Sequence, residues 1–349
     1  MSESFDVSIV ISTYNRCGIL PAALESVLAQ DAPGVAYEVV LVDNNSTDET
    51  RRVVHEFIAR GHRNLRYFFE GKQGLSHGWN RGIAESRGPI IAFTDDDIRV
   101  RADWVANIKR TFDEHPEVDF VGSRVLPVWP SEPPRWLTPE NWSPLALQDY
   151  GETARPYSNL ENPICLLGKS FRREAFERVG LFRPDLGRVK DGVGSLEDSD
   201  MQQRLWRAGR QGIHAPDVVM YADVQPERMT RDYHRRWHTG HGRFYAVMRD
   251  EDFEASNSRL FDVPAHLYKQ AATAALGWLK ETLRGNASEA ARHEARALFF
   301  AGFCKQRRAD YRASRERRNA LAELFAFVGS LARSRRGVAA SRAEHRQRG

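Results

Sequence analysis

Residues 90–97 have the sequence IIAFTDDD, in which a short apolar run is followed by a threonine and three aspartates. An apolar run of this length, with Gly88 and Pro89 before it and acids after it, is typical of a buried strand that ends at a polar loop. Repulsion among three neighbouring carboxylates is unfavourable unless a cation lies nearby. The stretch therefore predicts a strand followed either by an exposed acidic turn or by a site for a hard divalent cation.

The segments before residue 90 alternate between strand-like and helix-like patterns. Short runs rich in β-branched or aromatic residues occur at 7–12 (VSIVIS), 39–42 (VVLV) and 65–69 (LRYFF). Residues 19–30, between the first two runs, and residues 76–86, after the third run, place apolar side chains at helical spacing. This order predicts an α/β fold built on a doubly wound, mainly parallel sheet.

Polar residues follow the first, second and fourth of these strands. Ser12 ends the first strand, Asp43 follows the second, and residues 95–97 follow the fourth. Ligands of doubly wound sheets bind beyond the carboxyl ends of the strands. We therefore expect these residues to converge on one binding site.

The segment after the second strand, residues 43–48 (DNNSTD), has two interpretations. Ser46 or Thr47 is expected to cap a helix that begins immediately afterwards. That arrangement would leave Asp43 and Asn44 free to meet the donor edge of a nucleotide base.

Composition and cysteine use narrow the class of protein. With 349 residues, 41% of them hydrophobic, the chain can form one large α/β domain with an appendage. It contains no apolar run of the roughly eighteen residues that a membrane-spanning helix needs, and its first residues resemble no secretory leader. Its three cysteines lack metal-ligand spacing, so we expect a reducing, cytoplasmic location without a disulfide framework.

Prolines and charged residues are unevenly distributed along the chain. Eight of its sixteen prolines fall in residues 127–163, which we interpret as an acceptor-side loop of a catalytic domain spanning 1–225. Residues 226–349 are expected to form a helical, basic extension. From residue 301 onward the chain has thirteen Lys and Arg and four Asp and Glu, a net charge of +9. Because the whole chain has a net charge of +4, the first 300 residues have a net charge of −5.

Residues 321–331 place apolar side chains at helical spacing between arginines. Peripheral docking on an anionic membrane and packing against the catalytic domain are both open interpretations of this segment. Nucleic-acid binding is not expected, because no known binding motif accompanies the charge.

Five ordered segments resemble motifs of the family 2 glycosyltransferases, which have the GT-A fold. They are VSIVISTYNR at 7–16, VDNNSTD at 42–48, GLSHGWNRG at 74–82, the DxD-like TDDD at 94–97, and 197–209, which begins with Glu-Asp and ends with Arg-Ala-Gly. The resemblance covers roughly the first 240 residues, and several motifs in order are more specific than any one of them.

The resemblance implies a metal-dependent, inverting glycosyltransferase that uses a nucleoside diphosphate sugar donor and Mn²⁺ or Mg²⁺. Its acceptor would be a saccharide or a lipid-linked saccharide in cell-surface polysaccharide or glycolipid synthesis. Asp198 would be the catalytic base, with Glu197 beside it. The metal would be held by Asp97 and Asp95, with Asp223, His238 or His241 replacing a histidine of many relatives. The residues expected to bind the nucleotide sugar are Ser12, Tyr14, Asp43, Asn44, Gly74, Asn80, Asp95, Asp96, Arg236 and Trp237.

Two departures from the family pattern limit these expectations. Tyr233 stands where the QxxRW segment of processive members has glutamine, which favours addition of a single sugar over polymerisation. Asn44 stands where many relatives have a second aspartate. Because an amide can both donate and accept hydrogen bonds, the identity of the base stays open.

Two other functions fit an α/β nucleotide-binding chain. A sugar-phosphate nucleotidyltransferase would usually have a Gly- and Arg-rich loop after the first strand, whereas residues 12–18 read STYNRCG. A non-catalytic nucleotide-sugar-binding module would not need both acidic motifs. Glu197 and Asp198 also have a purely structural interpretation, since acids favour a helix N-terminus.

Overall fold

The computed structural model describes residues 4–157, 166–187, 196–251, 253–256 and 258–313. The chain divides into two compact units, Met1–Tyr233 and His234–Gly349. The amphipathic segment 321–331 lies outside the described residues, as does the last part of the segment 127–163.

In its described residues, the first unit has a nine-stranded sheet flanked by helices. Its strands are β1 Val7–Thr13, β2 Tyr37–Asp43, β3 Leu65–Phe69, β4 Ile90–Asp95, β5 Ile98–Val100, β6 Val118–Val128, β7 Arg155–Pro156, β8 Lys169–Arg172 and β9 Gln211–Asp223. Its helices are α1 Leu20–Leu28, α2 Thr50–Ala59, α3 Leu75–Glu85, α4 Trp104–Glu114, α5 Arg173–Val179 and α6 Glu197–Arg207.

Continuous apolar runs become strands because the sheet is covered on both faces. All seven residues of β1 are buried, as are six of the seven in β2 and five of the six in β4. Parallel strands buried on both faces read as unbroken hydrophobic segments. Two apolar clusters fill the unit: one contains Ile9, Leu41 and Trp104, and the other contains Val10 and Phe93.

The strand order is β3-β2-β1-β4-β8-β6-β9-β5. The strands β1 to β4 are mutually parallel, and β6 is parallel to β9. The predicted α/β class with a mainly parallel sheet is confirmed. The sequence did not reveal that β8 enters between β4 and β6 in the opposite direction, nor that β5 and β7 pair antiparallel with β9.

Three long helices make up most of the second unit's described part. They are α7 Arg231–Met248, which starts at the end of the first unit, α8 Ala265–Leu283 and α9 Ala287–Ala313, with a short hairpin of β10 Arg259–Leu260 and β11 Val263–Pro264 between α7 and α8. A small core holds Ala246, Val263, Leu267, Phe300 and Phe303. Within the described ranges, no helix combines the length and hydrophobicity needed to cross a membrane.

Candidate active site

The register of the central strands brings three predicted site segments together. Ser12 of β1 lies beside Asp95 of β4, and Thr13 of β1 lies beside Asp43 of β2. Because β1, β2 and β4 are parallel, their carboxyl ends share one edge of the sheet. Ser12 and Asp43 are buried at this edge, while Asp95 is exposed.

Asp43 organises the turn that follows β2. Its Oδ1 accepts a hydrogen bond from the Ser46 backbone N–H at 2.9 Å, and its Oδ2 accepts one from the Tyr67 hydroxyl at 2.8 Å. Burial, together with the hydrogen bond to Asp43, raises the pKa of Tyr67, so the phenol remains a donor at neutral pH. Asp43 thus has two protein partners, but each carboxylate oxygen retains accepting capacity, so its contact with the donor edge of a base stays a prediction.

The side chain of Asn44 fixes the loop before α3. Its Nδ2 donates to the Lys72 carbonyl oxygen at 2.7 Å, and its Oδ1 accepts from the Gly74 backbone N–H at 2.8 Å. Gly74 has φ +139°, a backbone conformation that favours glycine. Both ends of the Asn44 amide are bonded within the protein, so the side chain is less available to a base than expected, and its contact with a base stays a prediction.

The loops after β1 and β2 are joined by side-chain hydrogen bonds. The Asn15 backbone N–H donates to Ser46 Oγ at 3.0 Å, and Asn15 Oδ1 accepts from the Thr47 N–H at 2.7 Å. The helix α2 begins only at Thr50, so the predicted cap at Ser46 or Thr47 is wrong. These two residues have partners in the neighbouring loop instead.

Asp48 reaches the same pair of loops. Its Oδ1 accepts from both the Thr50 hydroxyl and the Thr50 backbone N–H, and its Oδ2 accepts from the Cys17 backbone N–H at 3.1 Å. Partial burial acts to raise the pKa of Asp48, but these hydrogen bonds outweigh it and lower the pKa to about 2. The carboxylate is thus a fixed, ionised connection between β1 and α2.

The three aspartates after β4 have different surroundings. Asp95 is exposed, Asp96 is buried and Asp97 is half-buried. The Thr13 hydroxyl donates to Oδ2 of Asp96 at 2.7 Å. Burial, followed by the charge of Asp97, raises the pKa of Asp96 to about 7. Asp96 therefore supports the loop from within, whereas Asp95 and Asp97 lie nearer the solvent.

Two guanidinium groups face Asp97. Oδ2 of Asp97 lies 3.4 Å from Nη1 of Arg16 and 3.7 Å from Nη2 of Arg228. Guanidinium groups recognise phosphate oxygens well, and Mg²⁺ usually needs only one or two protein carboxylates when phosphates complete its coordination. By donor chemistry, Asp95 and Asp97 therefore fit a divalent ion, and the arginines fit the phosphates that would accompany it.

Asp223, the third expected metal ligand, is paired elsewhere. Its two carboxylate oxygens accept from Nη2 and Nε of Arg99 at 2.6 and 3.1 Å, which joins the end of β9 to β5. Across the described ranges, no three His, Cys, Asp or Glu side chains are grouped so that they could hold a metal by themselves. A metal at Asp95 and Asp97 would therefore need oxygens from its substrate or from water.

Asn80 connects α3 to the segment before α6. Its Nδ2 donates to the Phe182 carbonyl oxygen at 2.8 Å, and its Oδ1 accepts from the Phe182 N–H at 3.0 Å. Ser76 adds a hydrogen bond from its hydroxyl to the Arg183 carbonyl oxygen at 3.1 Å. Asn80 thus holds backbone in place, a role that the sequence motif did not reveal.

Asp198 lies in the first turn of α6 and is paired with a lysine. Lys169 Nζ lies 2.6 Å from Oδ1 of Asp198 and 3.6 Å from the ring centroid of Trp79. Lys169 is buried, and the Asp198 side chain is 20% exposed. Glu197 is buried beside it. A buried cation is stable here because it has both a carboxylate and an aromatic face as partners.

The described part of the Pro/Trp-rich segment is packed onto the core. Leu137, Leu145 and Leu147 are buried, and the Trp129 and Trp142 rings lie 6.0 Å apart. These contacts make it a structured excursion between β6 and β7, not a loose connector.

Three other candidate residues are Tyr14, Arg236 and Trp237. Tyr14 directly follows β1 and is half-buried. Arg236 and Trp237 belong to the second unit, where Trp237 stacks on His241 with ring centroids 4.4 Å apart. Their predicted contacts with the donor remain untested.

Sequence reasoning did not single out Lys169, Thr13, Arg16 or Arg228. A signal was present for Lys169, since residues 164–171 (ICLLGKSF) contain one lysine within an apolar run. A charged residue in such a run needs a buried partner. Arg228 lies outside every recognised motif, and the sequence offered no comparable signal for it.

Known proteins resemble this chain in sequence and in fold. The family model described as "Glycosyl transferase family 2" matches residues 8–180. Glycosyltransferase AglE of Haloferax volcanii is 33% identical over 126 residues, which are 36% of this chain and 41% of that protein. Glucosyl-dolichyl phosphate glucuronosyltransferase of the same organism is 28% identical over 189 residues, 53% of this chain and 58% of that protein. The chain thus spans about half the length of these curated relatives.

Among solved structures, the fold resembles that of mannosyltransferase PcManGT from Pyrobaculum calidifontis, determined with GDP-Man and Mn²⁺. The TM-score is 0.52 at 21% identity, and the match covers 95% of this chain and 81% of that one. At this identity the likeness concerns the arrangement of strands and helices alone.

Proposed function

The chain belongs to glycosyl transferase family 2, and from this premise we propose that it moves one sugar from a nucleoside diphosphate sugar to a saccharide or lipid-linked saccharide. The observation that carries the proposal is the register that sets Ser12 beside Asp95 and Thr13 beside Asp43 at one sheet edge. A bound nucleotide sugar would extend along this edge. Its nucleobase would lie near the turn that contains Asp43, and its diphosphate would lie near the acids after β4.

The donor's nucleoside would lie over the loops that Asn15 and Asn44 organise. Asp43 and Asn44 would act there chiefly by shaping the backbone, because their side chains are already hydrogen-bonded. Asp43 can still accept from a base imide, and Tyr14 offers a ring for stacking. Gly74 and Asn80 would support the donor's sugar side by holding the loops around α3.

Asp95 and Asp97 would hold Mn²⁺ or Mg²⁺, and Asp223 could join them only by leaving Arg99. When bound, such an ion neutralises charge that builds on the departing diphosphate. Arg16 and Arg228, which already face Asp97, would turn their guanidinium groups to the same phosphates. Asp96 would stay beneath them, bonded to Thr13.

Asp198 would act as the base for the acceptor. Its Oδ1 is paired with Lys169, so Oδ2 is the oxygen available to take the proton of the acceptor hydroxyl. The acceptor oxygen then forms a bond to the anomeric carbon on the face opposite the diphosphate, while the bond to the diphosphate breaks. Attack from that face inverts the anomeric configuration. Glu197 would support the first turn of α6, and Arg236 and Trp237 would contact diphosphate and sugar.

The acceptor is proposed from two observations. One relative's name describes a glucosyl-dolichyl phosphate acceptor, and this chain's basic C-terminal region suits an anionic leaflet. We accordingly propose a cytoplasmic protein, peripheral on the cytoplasmic face of the inner membrane through its tail. It would serve cell-surface polysaccharide or glycolipid synthesis.

A donor screen tests this proposal. The purified chain is incubated with Mn²⁺ and single nucleoside diphosphate sugars, and release of the nucleoside diphosphate is measured with and without EDTA. Slow, EDTA-sensitive release from one donor supports a glycosyltransferase. Release of pyrophosphate from a nucleoside triphosphate and a sugar phosphate would instead indicate a nucleotidyltransferase. Binding of donors without any turnover, also in the presence of acceptors, would indicate a binding module.

A further inference from the structure

The helix α8 has two apolar faces, and only one of them is buried. Leu267 and Ala274 lie seven residues apart on the side that faces the second unit's interior, and both are buried. Leu276, Leu279 and Leu283 recur at spacings of three and four, which places them together on another side. They are 69%, 56% and 80% exposed. Three leucines exposed to this extent on one side of a helix form an apolar patch, and such patches often mark interaction sites.

The exposed charged residues of α8 and α9 are all basic. Seven basic residues of α8 and α9 are exposed, as is Arg284 directly after α8, whereas none of the acids in these two helices is exposed. The basic residues are Lys269, Lys280, Arg284, Arg292, Arg296, Lys305, Arg308 and Arg312.

The four acids of α8 and α9 are half-buried and neutralised by arginines of the same unit. Glu281 pairs with Arg284 at 3.1 Å, Glu289 pairs with Arg292, Glu294 pairs with Arg235 at 2.8 Å, and Asp310 pairs with Arg249 at 3.7 Å. The exposed charge of the two helices is therefore positive.

Helical spacing sets part of this charge beside the leucines. Lys269 precedes Leu276 by seven residues, and Lys280 follows it by four, so both extend from the leucine side of α8. Lysine side chains next to exposed leucines can place their ammonium groups among lipid headgroups while the leucines enter the acyl region. Nucleic acid would match the positive charge but would leave the three leucines in water.

We propose that the α8–α9 pair, with Leu276, Leu279 and Leu283 at its apolar centre, docks on an anionic lipid surface. These residues are other than 321–331, for which the sequence left membrane docking and packing on the catalytic domain both open. It supplements the proposed transferase and does not depend on the chemistry at Asp198. Insertion of the leucines supplies the apolar part of binding, and the exposed lysines and arginines supply attraction to anionic headgroups.

Vesicle flotation with the full chain tests the proposal. Vesicles of equal parts phosphatidylglycerol and phosphatidylcholine are compared with pure phosphatidylcholine vesicles at about 0.1 M salt, where screening is moderate. We expect binding to the mixed vesicles only. The triple variant Leu276→Ser/Leu279→Ser/Leu283→Ser should bind at least about a hundredfold more weakly, since each buried leucine contributes about tenfold or more.

Matched variants distinguish docking through this patch from general effects of lost charge or lost apolar surface. Lys269→Gln/Lys280→Gln should weaken binding about tenfold or more, given about fivefold for each basic residue near the surface. Val247→Ser, at a 39% exposed valine of α7, and Arg60→Gln/Arg63→Gln, at exposed arginines of the first unit, should bind as the wild type does. Thermal unfolding of all variants verifies that they fold.

Several outcomes would overturn the proposal. Lipid docking through this patch is ruled out if the wild type does not bind the mixed vesicles, or if the triple-serine variant binds them as tightly as the wild type does. If the wild type does not bind vesicles but forms a dimer, and the triple variant is a monomer, the leucines would instead bind a second copy of the chain. Binding to RNA or DNA but not to vesicles would assign the charge to nucleic acid. None of these readouts depends on sugar transfer, so failure here leaves the proposed transferase untouched.

Discussion

The ammonium group of Lys169 lies 2.6 Å from Oδ1 of Asp198, in contact with the face of Trp79. Lys169 comes from β8, and Asp198 comes from the first turn of α6. The pair therefore fixes the carboxylate against the sheet and leaves its other oxygen as the one that can accept a proton. If Asp198 acts as the base, as we propose, a carboxylate held in this way would need no rearrangement before it meets an acceptor hydroxyl.

Replacement of Lys169 by methionine should lower the turnover number about a hundredfold, while the KM for the donor changes little. Methionine keeps an unbranched stem of similar length to the apolar part of lysine but removes the cation that orients Asp198, and small misplacements of catalytic groups cost rates of this order. Initial rates at varied donor concentration measure both constants. Lys169→Arg, which can still pair with the carboxylate, should recover much of the rate. Equal loss of donor affinity and turnover in Lys169→Met would contradict a positioning role.

Asp198→Asn should retain donor affinity and lose transfer by about a hundredfold or more, the range that a general base contributes. The amide keeps the shape of the carboxylate but cannot take up the acceptor proton. Donor binding is measured by calorimetry, and transfer is measured by product formation. Asp113→Asn, at an exposed acid of α4 paired with Lys109, serves as control and should behave as the wild type. Normal transfer by Asp198→Asn would show that the base is another residue.

Asp97→Ala should weaken Mn²⁺-dependent binding of a nucleoside diphosphate by at least about tenfold. The change removes one of two carboxylates that we propose to hold the ion, and it also frees Arg16 and Arg228. Titrations with and without Mn²⁺ isolate the metal-dependent part. Glu114→Ala, a distant exposed change, should leave the titrations unaltered. An Asp97→Ala protein whose affinity still rises fully with Mn²⁺ would exclude Asp97 as a ligand.

The sequence predicted the fold class and the edge of the site because both depend on local patterns. Buried parallel strands such as β1 and β4 must be continuous apolar runs, and the polar residues after them must meet at one edge. The predicted family and GT-A fold are confirmed. The predicted metal, donor contacts and base are still predictions.

What the sequence could not predict depends on distant contacts. Ser46 has a normal capping preference, but its hydroxyl accepts from the Asn15 backbone, a partner that no local rule supplies. Lys169 meets Asp198 only because β8 enters antiparallel between β4 and β6, and hydrophobic periodicity carries no information about that order. The hydrogen bonds that tie Asn80 to Phe182 are invisible in the sequence for the same reason.

Gly82→Ala should lower the free energy of unfolding by about 1–3 kcal/mol, the usual cost of overpacking a core. A Cβ at Gly82 of α3 would lie 2.3 Å from Cγ1 of Val10, which is fully buried in β1 and has a stiff side chain. Alanine improves helix propensity by about 1 kcal/mol, but the clash outweighs this gain. Denaturant unfolding measures the change. Gly18→Ala is the control, since its Cβ meets nothing within 4 Å; equal stability of both variants would contradict the close packing of α3 on β1.

Acid should destabilise the first unit through His214 of β9. This side chain is fully buried, and neither ring nitrogen has a hydrogen-bond partner among the described residues. Burial, assisted by the charge of Arg155, lowers the pKa of His214 to about 4. The folded-state pKa thus lies below the unfolded value of about 6.5, and protonation favours the unfolded chain. The free energy of unfolding should fall as the pH drops from about 6.5 to 4.

The variant His214→Phe isolates this effect from other acid-sensitive groups, among them His238 and His241 of the second unit, whose pKa values burial also lowers. Unfolding in urea at a series of pH values should show a smaller loss of stability in the variant, by at most about 3 kcal/mol between neutral pH and pH 4. His55→Phe, at an exposed histidine of α2, should keep the wild-type dependence. If His214→Phe loses stability as steeply as the wild type, His214 either is already charged in the folded protein or gains solvent before the protein unfolds.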